Sequence, residues 1–201
     1  MADTLEQISL EVQQCQACGL HYGRAHAVPG EGPADAQVMF IGEGPGFHED
    51  QQGRPFVGAA GKFLDELLEM IGLERKDVYI TNVIKCRPPG NRDPREDEIA
   101  ACRTYLDRQI ALIQPKIIIT LGRFSMARYF PNAKISQIHG KARKIEGILY
   151  YPMYHPAAAL HQPSLRPTVE EDMAKIPDLI ARIDDFADSK PQADATQLSL
   201  F

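Results

Sequence analysis

The sequence predicts an α/β fold with a mainly parallel sheet. Short apolar segments typical of buried strands alternate along the chain with longer segments in which apolar residues recur at helical spacing. Such alternation is typical of parallel strands joined by helices. At 201 residues, the chain is long enough for one domain with a sizeable core. Since sites in parallel sheets form at the carboxyl ends of strands, the residues that follow the strands are the first functional candidates.

The N-terminal half contains two predicted helices and two predicted strands. Thr4 and Gln7 have the spacing of a capping box, which marks the start of a first helix. A short apolar run, QVMFIG, is typical of a buried strand, and GKFLDELLEMIG has helical apolar spacing and ends at a glycine. The predicted order is a helix over 5–14, a strand over 37–42, a helix over 61–72 and a strand over 77–82.

The C-terminal half continues the alternation. Asp93, Pro94 and Glu96 combine a cap, a first-turn proline and a carboxylate near the positive end of a helix, which we expect to reach about Ile113. Pro177 should kink or split the last helix. The further predicted elements are a strand over 116–122, a short helix over 123–130, a strand over 148–154 and a helix over 168–186.

Composition and charge limit the classes of protein to consider. No run approaches the roughly 18 apolar residues of a membrane span, and the acidic, amphipathic N-terminus does not resemble a secretory signal. We therefore expect a cytoplasmic protein without a membrane partner. A net charge of −5 argues against nonspecific coating of nucleic acid. From residue 185 the sequence becomes polar, which predicts a domain over 1–184 and a flexible tail over 185–201.

Four cysteines are spread unevenly along the chain, as Cys15, Cys18, Cys86 and Cys102. Disulfides are rare in the cytoplasm, whereas four thiolates can bind zinc or an iron–sulfur cluster. One close pair with two single cysteines suits a cubane cluster somewhat better than structural zinc, which usually uses two close pairs. Four unrelated buried cysteines are the alternative, and composition does not decide between these interpretations.

Three further motifs accompany the cysteines. GEGPG, at 42–46, follows the first predicted strand and lacks the GK[ST] of a phosphate loop. The other two are TNVIKCRPPGNRDP at 81–94 and YHPAAAL at 154–160. Together with the extended run GEGPGFHEDQQGRPFVGAAGKFLD and the four cysteines, these motifs closely resemble the family 4 uracil-DNA glycosylases. The resemblance extends from about Cys15 to Ile183.

The resemblance implies both a fold and a reaction. It implies a central, mostly parallel four-stranded sheet flanked by helices, and a 4Fe–4S cluster on Cys15, Cys18, Cys86 and Cys102. It also implies a monofunctional enzyme, expected to be a monomer, that removes uracil from DNA in base excision repair. Such chemistry requires a base that leaves the stack, a snug pocket and hydrogen-bond donors for the anionic leaving base.

Three residues suit that pocket, and the resemblance assigns them the same roles. Asn82, at a strand end, has an amide that can read O4 and N3 of uracil together, although an asparagine there also suits a turn cap. Phe56 is a candidate stacking platform or an ordinary core residue. His155 follows a strand, from which it can donate a hydrogen bond to uracil O2, although a lone histidine is more often structural.

The remaining catalytic candidates are less conventional. Gly44 stands where family 1 enzymes carry a water-orienting aspartate, so we expect the backbone of Glu43 and Gly44 to position water, with assistance from the Glu43 side chain. Glu49 is the acidic residue expected to approach the C5 edge of the base and help to exclude the thymine methyl. A solvated carboxylate is the alternative for Glu49.

Basic residues suited to phosphate contacts form two groups. The first group is Lys85, Arg87, Arg92 and Arg95, and the second is Lys134, Lys141, Arg143 and Lys144. For any one of these basic residues, the alternative is an ordinary solvated side chain. A separate candidate, Leu160 in the loop after His155, is the predicted wedge into the duplex.

The chain ends in QLSLF, which resembles the pentapeptide by which bacterial repair proteins bind the sliding clamp. Leu198, Leu200 and Phe201 supply its apolar residues and Gln197 a polar contact. Folding of LSLF back onto the domain is the alternative. Two other function classes are alternatives for the whole protein: a non-catalytic iron–sulfur module for DNA binding or redox sensing, and a relative of the glycosylases that becomes covalently trapped on uracil DNA. The 81–94 segment lacks the histidine-containing insertion of such relatives.

Overall fold

A computed structural model of the protein describes residues 3–189 and shows one mixed sheet with the strand order β2-β1-β3-β5-β4-β6. The four strands β2, β1, β3 and β5 are parallel, which confirms the α/β prediction. β4 runs antiparallel to β5, and β6 pairs with β4. The strands are β1 Val38–Gly42, β2 Tyr79–Asn82, β3 Ile117–Leu121, β4 Arg143–Ile145, β5 Ile148–Met153 and β6 Asp188–Ser189.

The sheet therefore has six strands rather than the expected four. The two additional strands are short and lie at one edge, where β4 forms a tight hairpin with β5 through Glu146 and Gly147, both with positive φ. The four parallel strands remain the centre of the sheet, so the difference does not alter the fold class. β6 lies beyond the predicted boundary at residue 185, and the division into domain and tail stays a prediction.

Helices cover both faces of the sheet. Over residues 3–189, no helix has the length and apolar character needed to cross a membrane. The helices are α1 Leu5–Gln14, α2 Phe47–Gln52, α3 Ala59–Met70, α4 Glu96–Ile113, α5 Arg123–Ala127, α6 Ile135–Ile138, α7 Pro156–His161, α8 Arg166–Ala174 and α9 Ile176–Ala181.

Alternating residues of the central strands divide the core into two layers. Along β1, Met39 and Ile41 pack in one layer with residues of α1 and α4. Val38 and Phe40 pack in the other, with residues of α3 and α8. All residues of β1, β2 and β3 are buried, as expected for parallel strands covered on both faces.

Helix termini test the sequence predictions in detail. α1 has the predicted bounds, and the Gln7 backbone N–H donates to Thr4 Oγ1 at 3.1 Å. The prediction that Asp93 caps α4 is wrong, because Arg95 occupies the N-cap and its N–H donates to the Glu98 carboxylate at 2.8 Å. The predicted last helix is split close to Pro177, into α8 and α9, as expected.

Candidate active site

The carboxyl ends of β1 and β2 and the segment after β5 border one pocket of about 510 Å³. The position follows from the topology, because neighbouring parallel strands end at the same edge of the sheet. The structure brings together all six residues predicted for catalysis and base binding. These pocket-lining residues are Glu43, Gly44, Glu49, Phe56, Asn82 and His155.

Asn82 is a buried amide with an unused acceptor. It ends β2, where it pairs with Gly42 of β1, and only 2% of the residue is exposed. Among the described residues, 3–189, its buried Oδ1 has no hydrogen-bond partner. An unpaired buried polar atom costs about 1–3 kcal/mol, which makes it typical of a site that a ligand completes. The absence of a side chain at Gly42 leaves room for the Asn82 and Phe56 side chains, since a Cβ there would lie 2.4 Å from Asn82 Oδ1 and 2.6 Å from Phe56 Cζ.

His155 is held as a neutral hydrogen-bond donor. It is the N-cap of α7, and its Nδ1 accepts the Ala157 backbone N–H at 3.1 Å. Because Nδ1 is the acceptor, the proton of the neutral ring lies on Nε2. Burial lowers the pKa of His155 to about 4, against the weaker opposing effect of the Glu49 charge. The ring is therefore neutral near pH 7 and can donate only through Nε2.

Phe56 borders the pocket with its ring stacked on His155, with 5.4 Å between ring centroids and 23° between planes. Its backbone has a φ of 52°, in the left-handed region that a phenylalanine rarely adopts. Arg75 donates to the carbonyls of Phe56 at 3.0 Å and of Pro55 at 2.6 Å. These contacts hold the Phe56 backbone. The sequence gives no signal for Arg75, which lies 19 residues further along the chain.

Glu43 and Gly44 follow β1 at the pocket wall. Burial and the nearby Asp93 charge raise the pKa of the Glu43 carboxyl, while Arg123 opposes the change. Asp93 and Arg123 form an ion pair that sequence reasoning missed. A Cβ at Gly44 would lie 2.6 Å from Ile84 Cγ1, so a side chain there would require Ile84 to move.

Glu49 lines the pocket but is engaged with the backbone. Its Oε1 accepts the N–H groups of Val57 and Gly58, both at 2.8 Å, and its Oε2 accepts that of Gly46 at 3.1 Å. The carboxylate therefore joins the GEGPG turn to the loop that carries Phe56. This geometry favours a positioning role over the predicted contact with the C5 edge of a base.

The four cysteines line a second cavity, beside the C-terminus of α1 and the N-terminal half of α4. Within residues 3–189, no three His, Cys, Asp or Glu side chains are arranged to hold a single metal ion. Arg24 Nη1 donates to Cys86 Sγ at 3.1 Å. Four cysteine thiolates are the donor set that binds a 4Fe–4S cluster. The cysteines that line this cavity are Cys15, Cys18, Cys86 and Cys102.

One predicted DNA contact is wrong. Lys85 is 1% exposed, and its Nζ donates to Thr81 Oγ1 at 2.5 Å, to Asn82 O at 2.9 Å and to Gln109 Oε1 at 2.8 Å. It cannot reach a phosphate. Instead, this buried amine supports the strand end that presents the Asn82 amide.

The other predicted DNA contacts differ in whether they line the pocket. Arg92 lines the pocket, although its guanidinium donates two hydrogen bonds to the Glu98 carboxylate, at 2.6 and 2.9 Å. Arg87 Nε donates at 2.6 Å to Asn91, which also lines the pocket. Leu160 is 44% exposed and precedes the pocket residue His161. Lys141 and Arg143 are exposed and lie outside the pocket lining.

The family model of the Uracil DNA glycosylase superfamily matches residues 29–177, most of the chain. The chain belongs to this superfamily. The matched region contains the whole pocket described above. Membership also accounts for the mostly parallel sheet flanked by helices.

Full-length relatives place the chain more narrowly within the Uracil DNA glycosylase superfamily. It is 54% identical over 187 residues to a type-4 uracil-DNA glycosylase of Sulfurisphaera tokodaii. This alignment covers 88% of this chain and 85% of that protein. It is 45% identical to a type-4 enzyme of Archaeoglobus fulgidus, over 90% of this chain and 95% of that protein. A type-5 uracil-DNA glycosylase of Pyrobaculum aerophilum is 30% identical, over 68% of this chain and 67% of that protein.

Proposed function

We propose that the protein is a monofunctional uracil-DNA glycosylase that hydrolyses the bond between deoxyribose and uracil in DNA repair. The unpaired Oδ1 of Asn82 is the observation that carries the proposal. An acceptor at the end of β2 matches the N3–H of uracil, and the same amide can donate to O4. Cytosine has no N3–H and presents a donor where uracil has O4, so this amide disfavours cytosine.

The pocket residues then act on a base that has left the stack. Phe56 supplies an aromatic wall for the base. As the glycosidic bond breaks, negative charge develops on the departing uracil, and the Nε2–H of His155 is the donor for O2. A preformed donor aimed at developing charge is commonly worth about 3–4 kcal/mol of barrier. Glu43 and the backbone of Gly44 position the water that adds to the sugar.

We further propose that the four cysteines hold a 4Fe–4S cluster. Their common cavity and the naming of the relatives as type-4 enzymes support this assignment. The cluster would supply a covalent tie between the end of α1, the segment after β2 and α4. Its role would be structural, since four cysteine ligands complete such a centre.

The remaining assignments extend the same proposal. Uracil-containing DNA is the partner, with Arg87, Arg92, Lys141 and Arg143 as phosphate contacts and Leu160 as the wedge. We also propose a monomer in the cytoplasm. The predicted clamp-binding peptide lies outside the described residues, and QLSLF at residues 197–201 is its only support. Titration of a bacterial sliding clamp with the full chain and with a form lacking 197–201 tests it, and equal binding would overturn it.

An oligonucleotide assay tests the enzymatic assignment. Purified protein is incubated, without added metal or nucleotide, with a labelled oligonucleotide that contains one uracil, and alkali then cleaves any abasic site. Matched oligonucleotides with thymine or cytosine at the same position are the controls. Cleavage confined to the uracil oligonucleotide is expected, whereas binding without excision would favour the non-catalytic alternative. Strand cleavage without alkali would contradict the monofunctional assignment.

A further inference from the structure

An exposed phenylalanine beside the pocket has no part in the proposed mechanism. Phe47 is 52% exposed and directly follows Gly46, which lines the pocket. Within residues 3–189, few large hydrophobic side chains are exposed, and Leu160, at 44%, is another that adjoins a pocket residue. Because more than half of Phe47 is in contact with water, a contribution to the core does not explain it.

Two neighbours fix the Phe47 ring in place. The His48 ring stands edge-on to it, with 5.5 Å between centroids and 80° between planes. The Arg87 guanidinium carbon lies 5.1 Å from the Phe47 centroid, within the range of a cation–π contact. Arg87 is itself held by Asn91, which lines the pocket. An aromatic ring and a cation therefore stand together at the rim before any ligand is bound.

We propose that Phe47 is a stacking platform for the base next to the flipped uracil and that Arg87 binds the adjoining phosphate. Extrusion of uracil leaves its neighbour with one unstacked face, which an aromatic ring can cover whatever the base. A guanidinium is well suited to a phosphate oxygen. With a net charge of −5, the protein depends on such local cations to hold a polyanion. The inference rests on the proposed function only in taking uracil-containing DNA as the ligand.

Binding of an uncleavable substrate analogue tests the platform independently of catalysis. The probe is a short fluorescent single-stranded oligonucleotide with one 2′-fluoro-2′-deoxyuridine, because fluorine at C2′ disfavours an oxocarbenium ion. Phe47→Ala should raise Kd by about tenfold, the scale of one base–aromatic stack, and Phe47→Trp should retain wild-type affinity. Met70→Ala is the matched control: Met70 is 48% exposed but lies outside the pocket lining, so its Kd should not change.

Abasic substitutions locate the stacked base. In two further oligonucleotides, an abasic spacer replaces the nucleotide 5′ or 3′ of the uridine analogue. One spacer should weaken wild-type binding by about tenfold and leave Phe47→Ala binding unchanged, since the stack is already absent. Equal Kd values for wild type and Phe47→Ala, or equal sensitivity of both to each spacer, would overturn the proposal. Excision of ordinary uracil, measured separately on wild type, reports on the proposed function alone.

Discussion

Asn82 and His155 come from different strand ends and offer complementary groups to the proposed uracil ligand. Asn82 brings an unpaired acceptor, and His155 a neutral ring with its proton on Nε2. Their meeting in one pocket was predictable because they end or follow strands in a parallel sheet, whose carboxyl ends lie at the same edge. The lack of a hydrogen-bond partner for Asn82 Oδ1 was not predictable from the sequence, since it depends on the side chains that surround β2.

Replacement of Asn82 should separate activity from stability. Asn82→Leu should reduce uracil excision by more than tenfold, because the groups that read the base are removed. It should not lower the free energy of unfolding by more than about 1 kcal/mol, because it removes an unsatisfied buried acceptor and keeps an apolar volume. Single-turnover excision and urea unfolding measure the two quantities. Large losses of both would show that the amide is structural.

Glu43 and His155, two of the titratable groups that line the pocket, determine the pH profile that we expect. The pKa of Glu43 is raised above its usual 4.5, so excision should fall as the carboxylate is protonated at a pH above that value. His155, with a pKa near 4, should contribute no limb at its ordinary value of 6.5. Glu43→Gln should be slower and should lack the Glu43 limb. Single-turnover rates between about pH 4 and 8 give this profile, and an unchanged limb in Glu43→Gln would contradict the assignment.

At the scale of elements, the loop that carries Phe56 depends on contacts from distant parts of the chain. Arg75 binds the Phe56 and Pro55 carbonyls and also Glu31 and Asp65. Long helices and buried strands were predictable from periodicity. This loop was not, because its conformation is set by partners 19 and 20 residues away. The short helices α2 and α7 were also missed, since a single turn or two has little periodicity.

Arg75→Met should therefore impair the stacking of the base. Loss of the guanidinium releases the strained Phe56 backbone, so kcat/KM should fall several-fold to about a hundredfold, the usual range for a small displacement in a site. Inhibition by free uracil should weaken in parallel. Arg54→Met is the matched control, since within residues 3–189 the exposed Arg54 side chain hydrogen-bonds only to the Glu31 carboxylate. Steady-state kinetics of both variants measure the effect, and identical values would rule out the positioning role.

At the scale of the molecule, the cysteine cavity joins segments far apart in sequence, from Cys15 to Cys102. The sequence indicated four thiolate ligands but left zinc and iron open, because both metals bind cysteine thiolates. Anaerobically purified protein should be brown and contain about four iron atoms per chain. Metal analysis and the visible absorption spectrum measure this, and stoichiometric zinc without iron would contradict it.

Cys86→Ala should mainly reduce stability, because it removes one ligand from the proposed tie between segments. Thermal unfolding, with cluster content measured on the same sample, is the appropriate comparison with wild type. Excision per folded molecule should stay close to wild type if the role is structural. A colourless variant with wild-type thermal stability would show that the cluster does not stabilise the fold.

Release of free uracil from DNA is the most direct test of the proposed glycosylase activity. Chromatography with mass detection follows free base released from a duplex containing one uracil, under single-turnover conditions with wild type, Asn82→Leu and His155→Ala. Wild type should release stoichiometric uracil, and each variant should release it at a rate at least about tenfold lower. No free uracil from wild type, or wild-type rates in both variants, would contradict it.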